Sequence, residues 1–306
     1  MSKLLKSASG VLHFFARGVF YCLFLMPVLA FSQENILAVV SSSGKIYQDF
    51  LTEFEKNLNE NIKVSKINAS ELNDNIINNH TIILSIGYKA ATSLSKYKIN
   101  SNIIYSLIPE NESVLEKIAC NDKCYKVYIN QPVERYVKLF KVIFPKNKKL
   151  VLATTGESSK KFWKIKSSSA GSGIVFKNIK IDKNQNVARE LINELKSDDV
   201  LVALPDPYLY NVNTAKSVIL TTYHANVPII AYSKSFAKAG ALISLYSSID
   251  NVAVKAASVV DDIYTNSFSE QKEYYPDEFM LEINYSVARS LNINIESEKN
   301  IMRKVK

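Results

Sequence analysis

The residues best suited to chemistry are few, and most lack the partners that chemistry needs. Asp206 stands between Pro205 and Pro207. Proline fixes the backbone on either side, so this carboxylate is held in one place. It suits a ligand ammonium group; it equally suits the capping of the turn that follows it. His224, flanked by Tyr223 and Ala225-Asn226, is a candidate base. A base serves a nucleophile and is oriented by a third group. Gly171-Ser172-Gly173 is too short for the G-x-S-x-G elbow, and His224 reads as a helix-end residue. The acid pairs Asp198-Asp199 and Asp261-Asp262 sit in polar, helix-edge contexts and read as solvent-facing. No Walker A segment, G-x-G-x-x-G or H-E-x-x-H occurs. The sequence therefore assigns no catalytic residue, no cofactor and no metal.

A different pattern recurs at the ends of apolar runs. Ser41-Ser42-Ser43, Gly87, Thr154-Thr155 and Ser233 each follow such a run and lead into a stretch with helical spacing. In parallel α/β folds these turns lie at the carboxyl ends of the strands, where ligands bind. Helix N-termini there offer unpaired N–H groups and a positive dipole, suited to a carboxylate. Serine and threonine are also ordinary helix N-caps, so each turn alone has a bland explanation. Tyr208, Tyr210, Tyr232, Phe236 and Tyr246 fall near the same strand ends, and small-molecule clefts are lined by such rings with a few polar groups.

The elements that must position these residues alternate. Apolar runs at 36–40, 62–67, 81–86, 102–107, 126–129, 149–153, 173–181, 200–204, 227–232, 242–246 and 279–283 read as strands. Helical spacing fills 47–58, 135–144, 187–195 and 249–264; it also follows Gly87, Ser158 and Pro207 and recurs near 287–291. Continuous Val, Ile and Leu strands separated by helices predict parallel sheets covered on both faces. The units are too many for one small sheet, so two α/β lobes are expected.

Composition narrows the setting. The 306 residues are 47% hydrophobic and 22% charged, with 8 glycines and 17 tyrosines. Lys3, Lys6 and Arg17 precede an apolar run at 18–31, and no acid appears before Glu34. Ala30-Phe31-Ser32 ends that run with small-x-small spacing. This is the layout of a secretory signal cleaved after residue 32; an uncleaved membrane anchor is the alternative. Removing three cations and no acid lowers the formal charge from +9 to +6. The remaining lysines are scattered, and only Arg135, Arg189, Arg289 and Arg303 survive among arginines, so no nucleic-acid footprint is present. Cys120 and Cys124 remain. An oxidising compartment favours a disulfide between them, while His80 and His224 lie too far off to suggest a zinc site.

The second half carries a resemblance. Val202–Asn211 (VALPDPYLYN), Ile219–His224 (ILTTYH), Val227–Ser233 (VPIIAYS) and Lys238–Ser248 (KAGALISLYSS) occur in an order that resembles the ABC transporter substrate-binding protein family of the type I periplasmic-binding fold. The branch it resembles includes binders of tryptophan and tyrosine. Asn130-Gln131-Pro132-Val133-Glu134-Arg135, Phe144-Pro145 and Ile283-Asn284 resemble further segments. The resemblance implies two Rossmann-like lobes joined by a hinge of three crossings: 33–129 plus 237–268, and 130–236 plus 269–306. It implies a cleft lined by Ser41, Ser42, Ser43, Gly87, Leu107, Ile108, Pro109, Thr154, Thr155, Asp206, Tyr232 and Ser233. It further implies a monomeric periplasmic protein that captures a small molecule, an amino acid or similar zwitterion, and delivers it to an ABC permease in the inner membrane. A periplasmic sensory or accessory module on the same fold is the alternative.

Overall fold

The computed structural model describes residues 35–145, 148–156, 158–265 and 271–306; the expected leader lies outside them. In chain order the elements are β1 (Asn35–Val40), α1 (Lys45–Lys56), β2 (Lys63–Asn68), α2 (Asp74–Asn78), β3 (Ile82–Ile86), α3 (Tyr88–Leu94), β4 (Asn102–Ile108), α4 (Glu112–Leu115) and β5 (Cys124–Tyr128). Then come α5 (Val133–Ile143), β6 (Lys149–Thr154), α6 (Ser159–Ser168), β7 (Val175–Lys180), α7 (Val187–Glu194), β8 (Asp199–Val202), α8 (Ala215–His224), β9 (Ile229–Ala231), α9 (Lys234–Ala239) and β10 (Ile243–Tyr246). The chain closes with α10 (Ile249–Tyr264), β11 (Glu273–Tyr274), β12 (Met280–Ile283), α11 (Tyr285–Ser290) and α12 (Glu298–Val305).

The strands form two six-stranded sheets, ordered β11-β5-β4-β3-β1-β2 and β12-β10-β9-β8-β6-β7. Pairing is parallel throughout except that the edge strand β12 runs antiparallel to β10. Strand periodicity explains why the apolar runs are unbroken. Successive side chains point to opposite faces. On β1, Ile36, Ala38 and Val40 join the core beneath α1 and α10, while Leu37 and Val39 join the core beneath α3. On β6, Leu150 and Leu152 pack toward α5, and Val151 and Ala153 toward α7 and α8. With both faces buried, the buried polar exceptions inside the central strands are small: Ser85 on β3, Ser106 on β4 and Ser244 on β10.

The helices seal these faces with one stripe each. Helix α1 buries Phe50, Leu51 and Phe54. Helix α10 buries Val252, Ala253, Ala256, Ala257, Val259, Val260 and Ile263. Its small alanines let it lie close over α1 and the first sheet. It starts at a capping box in which Ser248 and Asn251 satisfy each other's backbone N–H groups. Among the described residues, no helix is long and apolar enough to cross a membrane.

The structure corrects the expected lobe boundaries. The resemblance places residues 237–247 in the first lobe, but β10 pairs with β9 and β12 and belongs to the second sheet. The short α9 connects two neighbouring parallel strands, so the chain finishes that unit before crossing at Ser247-Ser248. It places residues 271–275 in the second lobe, yet β11 pairs with β5 in the first sheet. Two residues are too few to leave a readable period. Asp199 is likewise not solvent-facing: it is 1% exposed at the start of β8 and accepts the Lys196 N–H at 2.9 Å. Its neighbour Asp198 stays outside and pairs with Lys149 at 2.8 Å. After Pro207 the chain makes a turn, and α8 begins only at Ala215.

Candidate functional site

In the first sheet, the predicted turn residues divide by role. Ser41 is buried; its hydroxyl donates to the Ile86 carbonyl at 2.9 Å and accepts the Ala90 N–H at 3.0 Å. It therefore ties the end of β1 to β3 and to the first turn of α3. Gly87 begins that turn with φ +90°, and a Cβ there would sit 2.7 Å from Ser41 Oγ and 2.8 Å from the Tyr47 ring. Only glycine meets both demands. Ser42 and Ser43 are exposed. Leu107 lies in the left-handed region at φ 53°, where the register of β4 with β5 shifts. That bulge re-aims the chain so that Ile108 turns into the core and Pro109 emerges beyond it.

The second-sheet turns are bonded to one another. Thr155 Oγ1 donates to Asp206 Oδ2 at 2.9 Å, and the Thr155 N–H donates to Ser158 Oγ at 2.9 Å. Asp206 Oδ1 accepts the N–H groups of Tyr208 and Leu209 at 2.9 and 3.0 Å. Its carboxylate thus caps the turn after β8 and links it to the turn after β6. Thr154 is directed to Asn178 of β7, at 2.9 Å. Ser233 caps α9 by accepting the Phe236 N–H at 3.3 Å. Tyr232 donates to the Tyr210 carbonyl at 3.1 Å and packs with Tyr210 and Phe236 in an aromatic cluster. Burial, reinforced by Asp206, raises the Tyr232 hydroxyl above its ordinary value.

Between these two sets lies a cavity of about 250 Å³ at the joint of the lobes. Pro109 and Ile129 come to it from the first lobe, and Pro205, Tyr232, Ser233 and Lys234 from the second. Tyr246 comes from the end of β10, and Asn130, Gln131 and Ser247 from the crossing segments. The walls are mainly ring and aliphatic surface with a few polar points, the usual make-up of a small-ligand site. Of the expected residues, the structure brings Pro109, Tyr232 and Ser233 together here. Ser41 with Gly87, and Thr155 with Asp206, are brought together as supports.

The crossings are knotted by one side chain. Gln131 Nε2 donates to Ser247 Oγ at 2.8 Å and to the Glu278 carbonyl at 3.2 Å, so the first crossing holds the other two. Arg135 donates to Gln131 Oε1 and to the Pro276 and Asp277 carbonyls. Its ring contact with Phe279, 4.8 Å from the centroid, adds to this anchor. The sequence marked 130–135 only through a resemblance; the acceptors of the Gln131 Nε2 lie more than a hundred residues away. Lys161 was also missed. Its ammonium is largely shielded from water, with the Pro205 carbonyl at 3.3 Å. Burial lowers its pKa, while Glu110 and Asp206 pull it back up.

Cys120 and Cys124 have Cα atoms 5.3 Å apart, within disulfide reach. They lie at the far end of β5 from the cavity's Ile129.

Two six-stranded, mostly parallel α/β lobes with ligand-sized space at their joint have the type I periplasmic-binding fold. The family model for ABC transporter substrate binding protein matches residues 45–302, and the chain belongs to that family. Solved structures agree on the fold. The ligand-free, open structure of a substrate-binding protein with adhesive properties from Clostridium difficile is 17% identical, with a TM-score of 0.63 over 87% of this chain and 97% of that one. An ABC domain from Streptococcus pneumonia in complex with L-Trp is 14% identical, with a TM-score of 0.56 over 88% and 98%. A conserved domain protein from Vibrio cholerae is 18% identical, with a TM-score of 0.56 over 89% and 98%. No curated protein matches the sequence.

Proposed function

We propose that this chain is the extracytoplasmic solute-binding component of an ABC import system, and that it captures an amino acid or similar zwitterion between its lobes. The cavity at the joint carries the reading, because both lobes and the crossings contribute to its wall. A ligand there touches both lobes. It therefore favours the closed form by its differential affinity for the two states, and the permease reads that form. The protein supplies binding and no bond-making chemistry.

The ligand class follows from the surroundings. Tyr232, Tyr246, Pro109 and Pro205 offer apolar surface for a side chain. Lys234 lines the cavity and pairs with Glu282 at 3.5 Å, so a cation and an acid both stand at its edge. A balanced site suits a ligand with both signs. The complex of one fold relative with L-Trp is in keeping with this. Asp206 serves as a support for the turn, its oxygens already engaged. Cys120 and Cys124 are expected to be bonded after export.

Native mass spectrometry of the gently purified protein, followed by thermal shift against L-amino acids, their decarboxylated amines and simple sugars, tests the reading. A hundredfold excess over Kd stabilises by about 2.7 kcal/mol, roughly 5 °C or more for a chain of this size. Stabilisation by amino acids but not by the matching amines supports a zwitterion. Stabilisation by sugars alone would replace the ligand class and keep the binding role. A response to none of them would withdraw the transport of these classes and advance the sensory reading.

A further inference from the structure

We propose that an ion-pair clasp beside the cavity draws the two lobes together before any ligand arrives, with its cations on α6 of the second lobe and its acids on the turn after β4 of the first. The clasp has two ion pairs. Lys160 Nζ meets Glu112 Oε1, and Lys164 Nζ lies 3.7 Å from Glu110 Oε1. Lys160 and Lys164 are four residues apart on a helix and so share a face. Lys164 also reaches the Tyr275 hydroxyl at 3.3 Å and lies 5.5 Å from that ring's centroid. Tyr275 belongs to the first lobe's side of the third crossing, against Tyr128 at 5.4 Å.

The arrangement is asymmetric in a way that makes it a clasp. In both pairs the cation is on one lobe and the acid on the other, so opening separates opposite charges. The acids are held in place. The Glu110 N–H donates to Asn130 Oδ1 at 2.6 Å, and its side chain is only 19% exposed. Glu112 sits in the first turn of α4, where the helix dipole favours an acid. Lys161, between the two paired lysines, is drawn toward Glu110 of the opposite lobe as well. The outer pair is exposed, with Lys160 at 82%, and such a pair alone adds little. The inner pair, in which Glu110 is shielded, Lys164 is half-exposed and a tyrosine stands beside the ammonium, adds more. Together they shift the open-to-closed ratio by roughly three- to tenfold. Salt weakens the exposed part, since the screening length falls from about 10 Å at 0.1 M to about 3 Å at 1 M.

This inference does not depend on what the ligand is, and it is tested without one. Small-angle scattering of the purified, ligand-stripped protein would be recorded in 20 mM and 500 mM sodium chloride. The native protein is expected to expand at high salt. The variant Lys160→Glu with Lys164→Glu is expected to be expanded at both concentrations. Adding Glu110→Lys and Glu112→Lys to it should restore the compact form at low salt, which a merely structural defect would not permit. Circular dichroism confirms folding in each case. If the charge-reversed protein does not fold, Lys160→Gln with Lys164→Gln is used instead. Equal radii of gyration for native protein and folded variant, at both salt concentrations, would overturn the clasp.

Discussion

The two lobes meet the cavity with turns built on opposite plans. On the first lobe the buried pieces, Ser41 and Gly87, serve close packing, while Ser42 and Ser43 are left facing water. On the second lobe Thr155, Ser158, Asp206 and the turn after it form one hydrogen-bonded unit. The first plan adds a strict demand of shape, a missing Cβ at Gly87, to the two hydrogen bonds of Ser41; the second rests on a carboxylate shared between two turns. Strand ends that look alike in sequence, small and hydroxylated, are therefore stabilised by different physics and should fail differently.

Breaking the shape-dependent side should cost most. Gly87→Val places a Cβ against Ser41 and Tyr47 in a backbone region closed to branched residues. A loss of about 3 kcal/mol or more is expected in urea unfolding. A loss below about 1 kcal/mol would mean the turn yields. Next comes the polar side. Asp206→Ala strands the Thr155 hydroxyl and two backbone N–H groups, and should cost about 2–3 kcal/mol. Asp206→Asn keeps an acceptor for the turn and should cost less. If both variants fold as stably as the parent, the linked-turn description is wrong.

Lys161→Met sharpens the contrast from the other direction. It removes a charge that burial disfavours, so the unliganded protein should gain on the order of 1 kcal/mol. Because the folded pKa is depressed, the unfolded chain binds more protons between that value and 10.5. Native stability therefore rises with pH across this window. The advantage of the variant should be full below the window and vanish as pH approaches 10.5 in a series of melts. An advantage that does not vary with pH would place its origin in packing. The smallest effect is reserved for Ser42→Ala and Ser43→Ala. Each should alter stability by less than about 0.5 kcal/mol, leaving any change in ligand affinity as a direct reading of contact.

These contrasts also explain what the sequence revealed. Strands such as Ile36–Val40 and Leu150–Ala153 are legible because burial on both faces favours unbroken apolar runs. The long stripe of α10 is legible for the same reason. The two-residue β11 and the lobe identity of β10 were not, since pairing partners are set by tertiary geometry rather than local pattern. At the site, Asp206 was visible as an acid between prolines, with capping and ligand contact both open; only its three partners assign the cap. Tyr232 and Ser233 were placed by their position at a strand end. Gln131 and Lys161 were not, because one acts through residues from distant segments and the other is concealed by the fold around an ordinary surface-type sequence.

The late position of α10 has a consequence for how the molecule is made. Strands β1 to β5 emerge from the ribosome first, yet the helix that covers Ile36, Phe50 and Phe54 comes only after the whole of β6 to β10. A nascent chain thus carries an unsealed apolar face through most of its synthesis. The first-made lobe is among the last to be finished, and a chain halted before Ile249 would cover that face with α1 but without α10.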